Sequence, residues 1–391
     1  MKKRDSLLVV LGILFISFNL RAPITAVGSV VDLIQAEYGL SSTAAGFITT
    51  LPLLAFAVVS PFVAQIAGKI GHARTMMAGL LLILCGEFIR SYTGAAGLFA
   101  GTAVIGVGIA IGNVIIPGII KLYFSEKVGM VTSIYTSGMC IYAAVGAGIS
   151  VPLAKGMNLG WKNALASWFI LTVLTILIWL PQVRKQNTAA ASGKKAASGS
   201  SIWKSGLAWW VTLFMGIQSL LFYSLVAWLK TIVTSKGMTD VFAGNMAMLF
   251  QLMAIPATLL IPTLCDKFKD QRVLVLVTCA IYATGMLLFL LAGSAAMITL
   301  AVVFMAIGMG GSISLSIAFI SLRSPNSARA SQLSGMSQSA GYLLAAVGPI
   351  VTGFLYETMS SWTMPLILFI VLIALLAVCG LWAGKNQTVS E

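Results

Sequence analysis

The stretch LFAGTAVIGVGIAIGNVIIPGII, Leu98–Ile120, contains no charged residue. A helix needs about 20 apolar residues to cross roughly 30 Å of hydrocarbon, and this run is long enough to do so. It is also continuously apolar. Strands of a membrane barrel show segments of about ten residues that alternate between lipid-facing and lumen-facing positions, so the stretch reads as a helix. Working outward, runs of the same kind cover 7–31, 44–66, 76–92, 130–153 and 162–181 on one side. On the other side they cover 206–229, 242–264, 273–292, 296–320, 330–355 and 362–383. The fold class expected is an all-α polytopic membrane protein with twelve transmembrane helices.

The composition agrees with this reading and excludes others. Of 391 residues, 59% are hydrophobic and 9% charged, and the mean hydropathy is +1.00. Soluble domains carry about 25% charged residues, so an ordinary soluble enzyme is ruled out. The N-terminal Lys2-Lys3-Arg4 followed by an apolar run has the outline of a signal peptide, but the run is too long and no polar mature chain follows. It reads as the first span. Cys85, Cys140, Cys265, Cys279 and Cys379 fall in or beside spans without C-x-x-C spacing, so they read as small packing residues, and no disulfide, metal or cofactor is expected.

The formal charge of +14 raises the question of nucleic acid as a partner. If both termini are cytoplasmic, 18 of the 24 Lys and Arg residues fall on the cytoplasmic side, Arg90, Lys155, Lys162, Lys230 and Lys236 fall outside, and Arg21 alone falls within a span. The positive-inside rule then fixes the orientation. The basic residues are accounted for by topology, which leaves nucleic acid nothing to explain.

The hydrophilic stretch from Gln182 to Ser201, rich in Ala, Ser, Gly and Lys, lies near the middle of the chain and reads as a flexible linker. The expected organisation is 1–181 as one six-helix half, 182–204 as a cytoplasmic linker and 205–391 as the second half. An internal repeat supports it. An offset of 198 aligns Gly39 with Gly237, Gly46 with Gly244, Lys69 with Lys267 and Arg74 with Arg272. Later the offset becomes 202, aligning Ile105, Gly106 and Gly108 with Ile307, Gly308 and Gly310.

Six spans, a basic linker and six more in the same orientation resemble the parallel-repeat plan of the major facilitator superfamily, whose substrate site lies between the halves near the bilayer midplane. Its loop motif after the second span of each half is partly present. Asp266-Lys267-Phe268-Lys269-Asp270-Gln271-Arg272 keeps the acid and the bases, whereas Gly68-Lys69-Ile70-Gly71-His72-Ala73-Arg74 keeps the glycine and lacks the acid. The resemblance assigns gating to Lys69, Arg74, Asp266, Lys267 and Arg272.

Longer strings are more specific. Asn19-Leu20-Arg21, Thr50-Leu51-Pro52, Gly112-Asn113 through Lys121, and Leu333-Ser334 through Leu344 look like the cyanate permease and 2-nitroimidazole transporter family. Trp203-Lys204-Ser205 with the following Leu207-Ala208-Trp209 and Phe214-Met215-Gly216 resembles the 2-nitroimidazole branch. One departure is Lys230, where proline is usual. The resemblance implies a monomeric multi-pass carrier in a bacterial-type cytoplasmic (inner) membrane, working by alternating access. It would export 2-nitroimidazole-like compounds or take up a small anion such as cyanate, with protons as candidate coupling partners.

Arg21 is the most informative residue, since a guanidinium at the centre of a span costs roughly 2.5–3.5 kcal/mol and normally faces a cavity. Its planar fork of donors suits an anionic or carboxylate-like group, which makes it the leading candidate for substrate contact; the other reading is a brace between helices. Asn113, Gln218, Gln338 and Tyr342 sit on spans four, seven and eleven, which line the cavity in the family fold, and Gln338 and Tyr342 share a helical face. Asn19, Tyr135, Tyr223 and Gln251 complete the candidate lining. Each could instead join helices, a contact worth about 0.6 kcal/mol in a membrane.

Coupling is the least legible property. Glu87 is the one acid placed within a span; it is a candidate proton site, with an ion pair to Arg90 three residues on as the alternative. His72 reads as a loop residue. Gly106-Val107-Gly108 with Gly112 has no preceding strand, so it reads as helix packing rather than a nucleotide loop. Pro52, Pro117, Pro256, Pro262 and Pro349 are expected to bend their spans. The spans carry no nucleophile–base pair or metal cluster, which argues against an embedded enzyme.

Overall fold

The computed structural model describes residues 3–40, 42–189 and 201–389. Part of the expected linker, 190–200, lies outside them. Among the described residues there are twelve apolar helical spans and sixteen α-helices, one of which, α3, lies between spans one and two. The first half contains α1 (Lys3–Asn19), α2 (Ala22–Ser29), α3 (Val31–Tyr38), α4 (Ser42–Ile70), α5 (His72–Tyr92), α6 (Gly94–Tyr123), α7 (Val128–Val151), α8 (Gly160–Ala166) and α9 (Phe169–Ala189). The second contains α10 (Gly206–Ser235), α11 (Asp240–Leu252), α12 (Ile255–Cys265), α13 (Arg272–Leu291), α14 (Ala295–Leu322), α15 (Ser327–Met359) and α16 (Thr363–Ala383).

Three spans expected as continuous helices are broken: one, eight, and six, which divides at Ser167 and Trp168 between α8 and α9. Span one stops at Asn19 and restarts at Ala22, leaving Leu20 and Arg21 in the gap. Pro23 at the start of α2 explains the break, because it has no N–H to offer and its ring would clash with the carbonyl four residues back. Span eight breaks between α11 and α12 for the same reason at Pro256. Pro52, Pro117, Pro262 and Pro349 stay inside their helices. Packing also follows sequence. At Gly108, an added Cβ would stand 2.5 Å from Gly79 O, so the absent side chain is what lets α5 and α6 touch.

The bundle is closed at the end that carries the linker. Several helices start on their own cap, such as Ser205 for α10, Thr239 for α11 and Asn326 for α15. α7 has no such cap, and Asp266 of the other half takes its place. Its carboxylate accepts from Gly129 N at 2.7 Å and from Met130 N at 2.9 Å. A carboxylate on orphan helix N–H groups gains both hydrogen bonds and the favourable end of the helix dipole. Gly129 has to be glycine here, since a Cβ would overlap Pro262 O.

The opposite loop copy, which lacks the acid, meets α15 through His72. The ring Nε2 lies 2.9 Å from Ser331 Oγ and 3.3 Å from Ser327 Oγ. His72 is thus the first residue of α5, packed between the halves, rather than a free loop residue. Hydroxyl bonds continue the seam inward: Ser321 to Pro117 O (3.1 Å), Ser334 to Asn113 O (3.1 Å), Ser133 to Leu259 O (2.7 Å) and Ser339 to Ala57 O (2.7 Å). Arg323 ties the same end of the second half together, donating to Ala383 O at 2.9 Å and to Gln271.

At the far end of the first half, Lys162 pairs with Glu37 at 2.5 Å and Trp161 Nε1 donates to its other oxygen at 2.6 Å. The Lys162 ammonium and the Trp161 donor hold the Glu37 carboxyl below the usual range.

The Asp266 latch generates a prediction. Asp266→Asn weakens the closed end by about 0.3–1 kcal/mol, the usual worth of a charge at an exposed helix terminus, while Gly129→Val prevents the approach of α7 and α12 altogether. Spin-label distances between spans five and eight at the linker end are expected to lengthen slightly in the first variant and strongly in the second. Unchanged distances in Gly129→Val would show that this contact does not hold the end closed.

Candidate functional site

The break in span one sets the site. By interrupting the helix at mid-depth, Pro23 places Arg21 where its side chain turns into the space between the halves. The guanidinium carbon lies 5.7 Å from the centre of the Phe222 ring, a cation–π distance, and Tyr223 lines the same lobe.

Two small adjoining lobes meet at Arg21. One, of about 20 Å³, is lined by Arg21, Asn113, Tyr135, Gln218, Tyr223, Gln338 and Tyr342, among others. The second, of about 40 Å³, shares Arg21 and Phe222 and adds Gln251, Thr25, Thr136 and Cys140. These volumes suit a few waters, far below the roughly 300–1,000 Å³ of ligand pockets, so the site is contracted in this state.

Polar atoms in the first lobe fall into two sets. Tyr135 donates to Asn113 Oδ1 at 3.0 Å, and Gln218 Nε2 donates to Ser219 Oγ at 2.7 Å. The side-chain oxygens of Gln218 and Gln338 are buried with no hydrogen-bond partner. Buried acceptors of this kind are uncommon and mark places where a ligand or water completes the bonding. Aromatic rings wall the space: Tyr342 lies 5.0 Å from Phe56 and 6.2 Å from Tyr223, and Phe222 5.0 Å from Tyr223.

Eight of the nine candidate lining residues are therefore brought together around Arg21, counting Arg21 itself. Asn19 is not among them. Its amide donates to Phe15 O at 2.8 Å and to Thr175 Oγ1 at 2.7 Å, and its oxygen accepts from Thr172 at 2.7 Å, so it joins span one to span six. Sequence reasoning overlooked Ser219, Phe222, Thr25, Thr136 and Cys140. For Phe222 the signal was its place beside Tyr223; the others carry none that distinguishes them from packing residues.

Glu87 lies outside the cavity, fully buried, with Oε2 3.0 Å from Thr172 Oγ1 and Oε1 without a partner. The hydrogen-bonded pair with Arg90 does not form. Arg90 is aimed at span one instead, donating from Nη1 to Pro23 O at 2.6 Å, with Nε and Nη2 unpartnered. The Cα–Cα geometry of a helix brings residues three apart onto one face, but their tips are free to choose other partners. Of the gating set, Asp266 bridges the halves, Arg272 pairs with Asp270 of its own loop at 2.7 Å, and Lys69, Arg74 and Lys267 are exposed.

Twelve spans in two halves around a central cavity, closed at one end, define a secondary transporter by architecture. The chain belongs to the Major Facilitator Superfamily, whose family model matches residues 9–345. It is 47% identical over 390 residues to the "Uncharacterized transporter YycB" of Bacillus subtilis (strain 168), covering 100% of this chain and 96% of the other. It is 40% identical over 400 residues to the "2-nitroimidazole transporter" of Escherichia coli (strain K12), covering 99% and 98%. Among solved structures, the proton:xylose symporter XylE superposes with a TM-score of 0.78 at 14% identity, covering 98% and 96%. At that identity the likeness concerns fold.

Proposed function

We propose that the chain is an alternating-access exporter of 2-nitroimidazole-like compounds in a bacterial cytoplasmic membrane, with both termini and the linker end in the cytoplasm. The observation that carries this reading is the pairing, in one lobe, of the Arg21 guanidinium with the two unpartnered amide oxygens of Gln218 and Gln338. A nitro group is planar and presents two acceptor oxygens, as a carboxylate does, and so meets the guanidinium fork. A ring N–H supplies what the amide oxygens lack, and the ring itself fits between Phe222, Tyr223 and Tyr342. The relative whose name includes 2-nitroimidazole supports the same substrate class.

A second reading is uptake of a small anion such as cyanate. It is favoured by the presence of a cation and no carboxylate in the cavity lining. An acceptor-only anion would engage Arg21 and leave the Gln218 and Gln338 oxygens unanswered. The two readings therefore separate at the glutamines.

Accumulation of labelled 2-nitroimidazole in energised cells, with and without the protein, tests direction and substrate together. The expected result is lower accumulation with the protein, rising when an uncoupler is added at steady state. Equal accumulation would reject this substrate and turn attention to cyanate uptake.

Variants test the site. Arg21→Lys keeps the charge and loses the fork, and is expected to raise the half-saturating concentration about 10- to 100-fold, corresponding to a charged hydrogen bond worth roughly 1.5–3 kcal/mol. Gln338→Leu removes the unpartnered acceptor together with the amide N–H donors, and is expected to weaken 2-nitroimidazole handling. Unchanged affinity in Arg21→Lys would remove Arg21 from the binding site.

A further inference from the structure

The first half contains a buried polar assembly that the substrate site does not use. It joins Glu87 and Arg90 of α5 to Thr172 of α9 and to the two residues that flank Arg21, Asn19 before it and Pro23 after it. Glu87, Arg90, Thr172 and Asn19 are all at most 1% exposed.

Counting hydrogens assigns the protonation state of Glu87. Asn19 gives one amide hydrogen to Phe15 O and the other to Thr175 Oγ1, and the backbone carbonyl fixes which way its amide faces. Its oxygen must therefore accept, and the donor 2.7 Å away is the Thr172 hydroxyl. Thr172 has one hydrogen and has now used it. The remaining 3.0 Å contact between Thr172 Oγ1 and Glu87 Oε2 is a hydrogen bond only if the carboxyl holds a proton and donates it. The surroundings agree. Glu87 forms part of the wall of an apolar cleft of about 680 Å³ that includes Leu84, Phe88 and Phe169, where a bare carboxylate would be poorly solvated.

The charged group facing Glu87 is Arg90 on its own helix. Cys85 and Tyr92 share the cleft. From the neighbouring helices come Ala166 of α8, Phe169 and Thr172 of α9 and Asn19 of α1, none of them titratable, and the nearby Lys162 of α8 is engaged by Glu37. Gly101 and Ile105 are the residues of α6 packed against this turn of α5.

We infer that Glu87 is a proton-controlled positioning residue, which sets the placement of Arg21 by deciding whether Arg90 holds Pro23 or turns to the carboxylate. This rests on the reading of Arg21 as the substrate ligand. With the proton on, Arg90 Nη1 holds Pro23 O and the Glu87–Thr172–Asn19 chain holds the other side of the break. When the O–H bond breaks and the proton passes to water, the charged carboxylate becomes the stronger partner for Arg90. Residues three apart on a helix can reach each other, and the unpartnered Oε1, Nε and Nη2 are the atoms such a pair would use. Pro23 O is then released, Thr172 no longer has a donor from Glu87, and the segment carrying Arg21 is freed on both flanks. A small chamber of about 10 Å³ beside Arg90, Pro23 and Thr102 has room for about one water to take over the carbonyl.

The test uses the full-length protein in lipid vesicles, without substrate. Infrared difference spectra between acid and alkaline pH are expected to show a protonated-carboxyl band that disappears in Glu87→Gln. Spin labels at the far ends of spans one and seven are expected to report a distance that shifts with pH in the wild type and is fixed at its acid-side value in Glu87→Gln. Thr172→Val removes the acceptor that favours the protonated form, so the midpoint of the same shift is expected to move to lower pH; this variant keeps the proposal testable if Glu87→Gln does not fold. A wild-type distance that is independent of pH, or a shift that survives unchanged in Glu87→Gln, overturns the proposal. Assays of 2-nitroimidazole transport are run separately: their failure with the pH shift intact overturns the substrate reading alone.

Discussion

A guanidinium held at mid-membrane depth is the constraint around which this structure is arranged. Arg21 cannot be left facing lipid, because its transfer there costs several kcal/mol, and a continuous helix would give it only the donors and acceptors of its own turn. Pro23 resolves this by breaking the span, so that Arg21 stands just before the start of α2 and lines the lobes between the halves. The rest of the cavity sets a ring face from Phe222 beside the cation and further polar side chains, Tyr223 among them, around a small space. Arg90 reaches the same region from span three, donating to Pro23 O in the first turn of α2. A buried charge on span one is thus accompanied by a second on span three.

Closure and binding are written on the same helix. Along α15, Ser331 and Ser334 contact the first half at His72 and Asn113 O, Ser339 contacts Ala57 O, and Gln338 and Tyr342 line the cavity. Helix periodicity places these positions on adjoining faces. A movement of α15 that separates the seam must therefore also move Gln338 and Tyr342 away from Arg21. In the closed arrangement the lobes have room for a few waters; under the proposed function, opening the seam and enlarging the site would be one rigid-body displacement, as interfaces that switch between two packings permit.

The spans, the two-half plan and the placement of Arg21 in a cavity could be read in the sequence because each is dictated by the solvent. Hydrocarbon demands long apolar runs and penalises charge, and both effects are visible one residue at a time. Facing is different. A soluble helix marks its buried side with apolar residues, but a membrane helix is apolar towards lipid and towards its neighbours, so the sequence does not show which way Asn19 points. Asn19 and Asn113 looked alike, yet one bonds Thr175 and the other lines the cavity. Glu87 and Arg90 looked like a pair because spacing alone was available; the competing partner, Pro23 O, lies 67 positions away on span one. His72 was overlooked because its partners, Ser327 and Ser331, lie more than 250 positions away and belong to the other half.

The gate built from these parts is necessarily weak, and a carrier needs it to be. Among the gating residues named from the loop motif, only Asp266 crosses between the halves; Arg272 is taken by Asp270, and the other bases are exposed. No dense network of buried ion pairs joins the gating residues across the seam. Besides the Asp266 and His72 contacts, its bonds are single hydroxyls to carbonyls, each worth about 1 kcal/mol net, and each lost on one side is replaceable by water once the end opens. Moving a two-state equilibrium from 1:99 to 99:1 takes a differential of about 5.5 kcal/mol. A seam of strong salt bridges would demand more than a small ligand can supply, whereas the hydroxyl contacts and the Asp266 latch seen among the described residues keep the two states within reach of the ligand proposed above, which would contact Arg21 and Gln338 in one lobe.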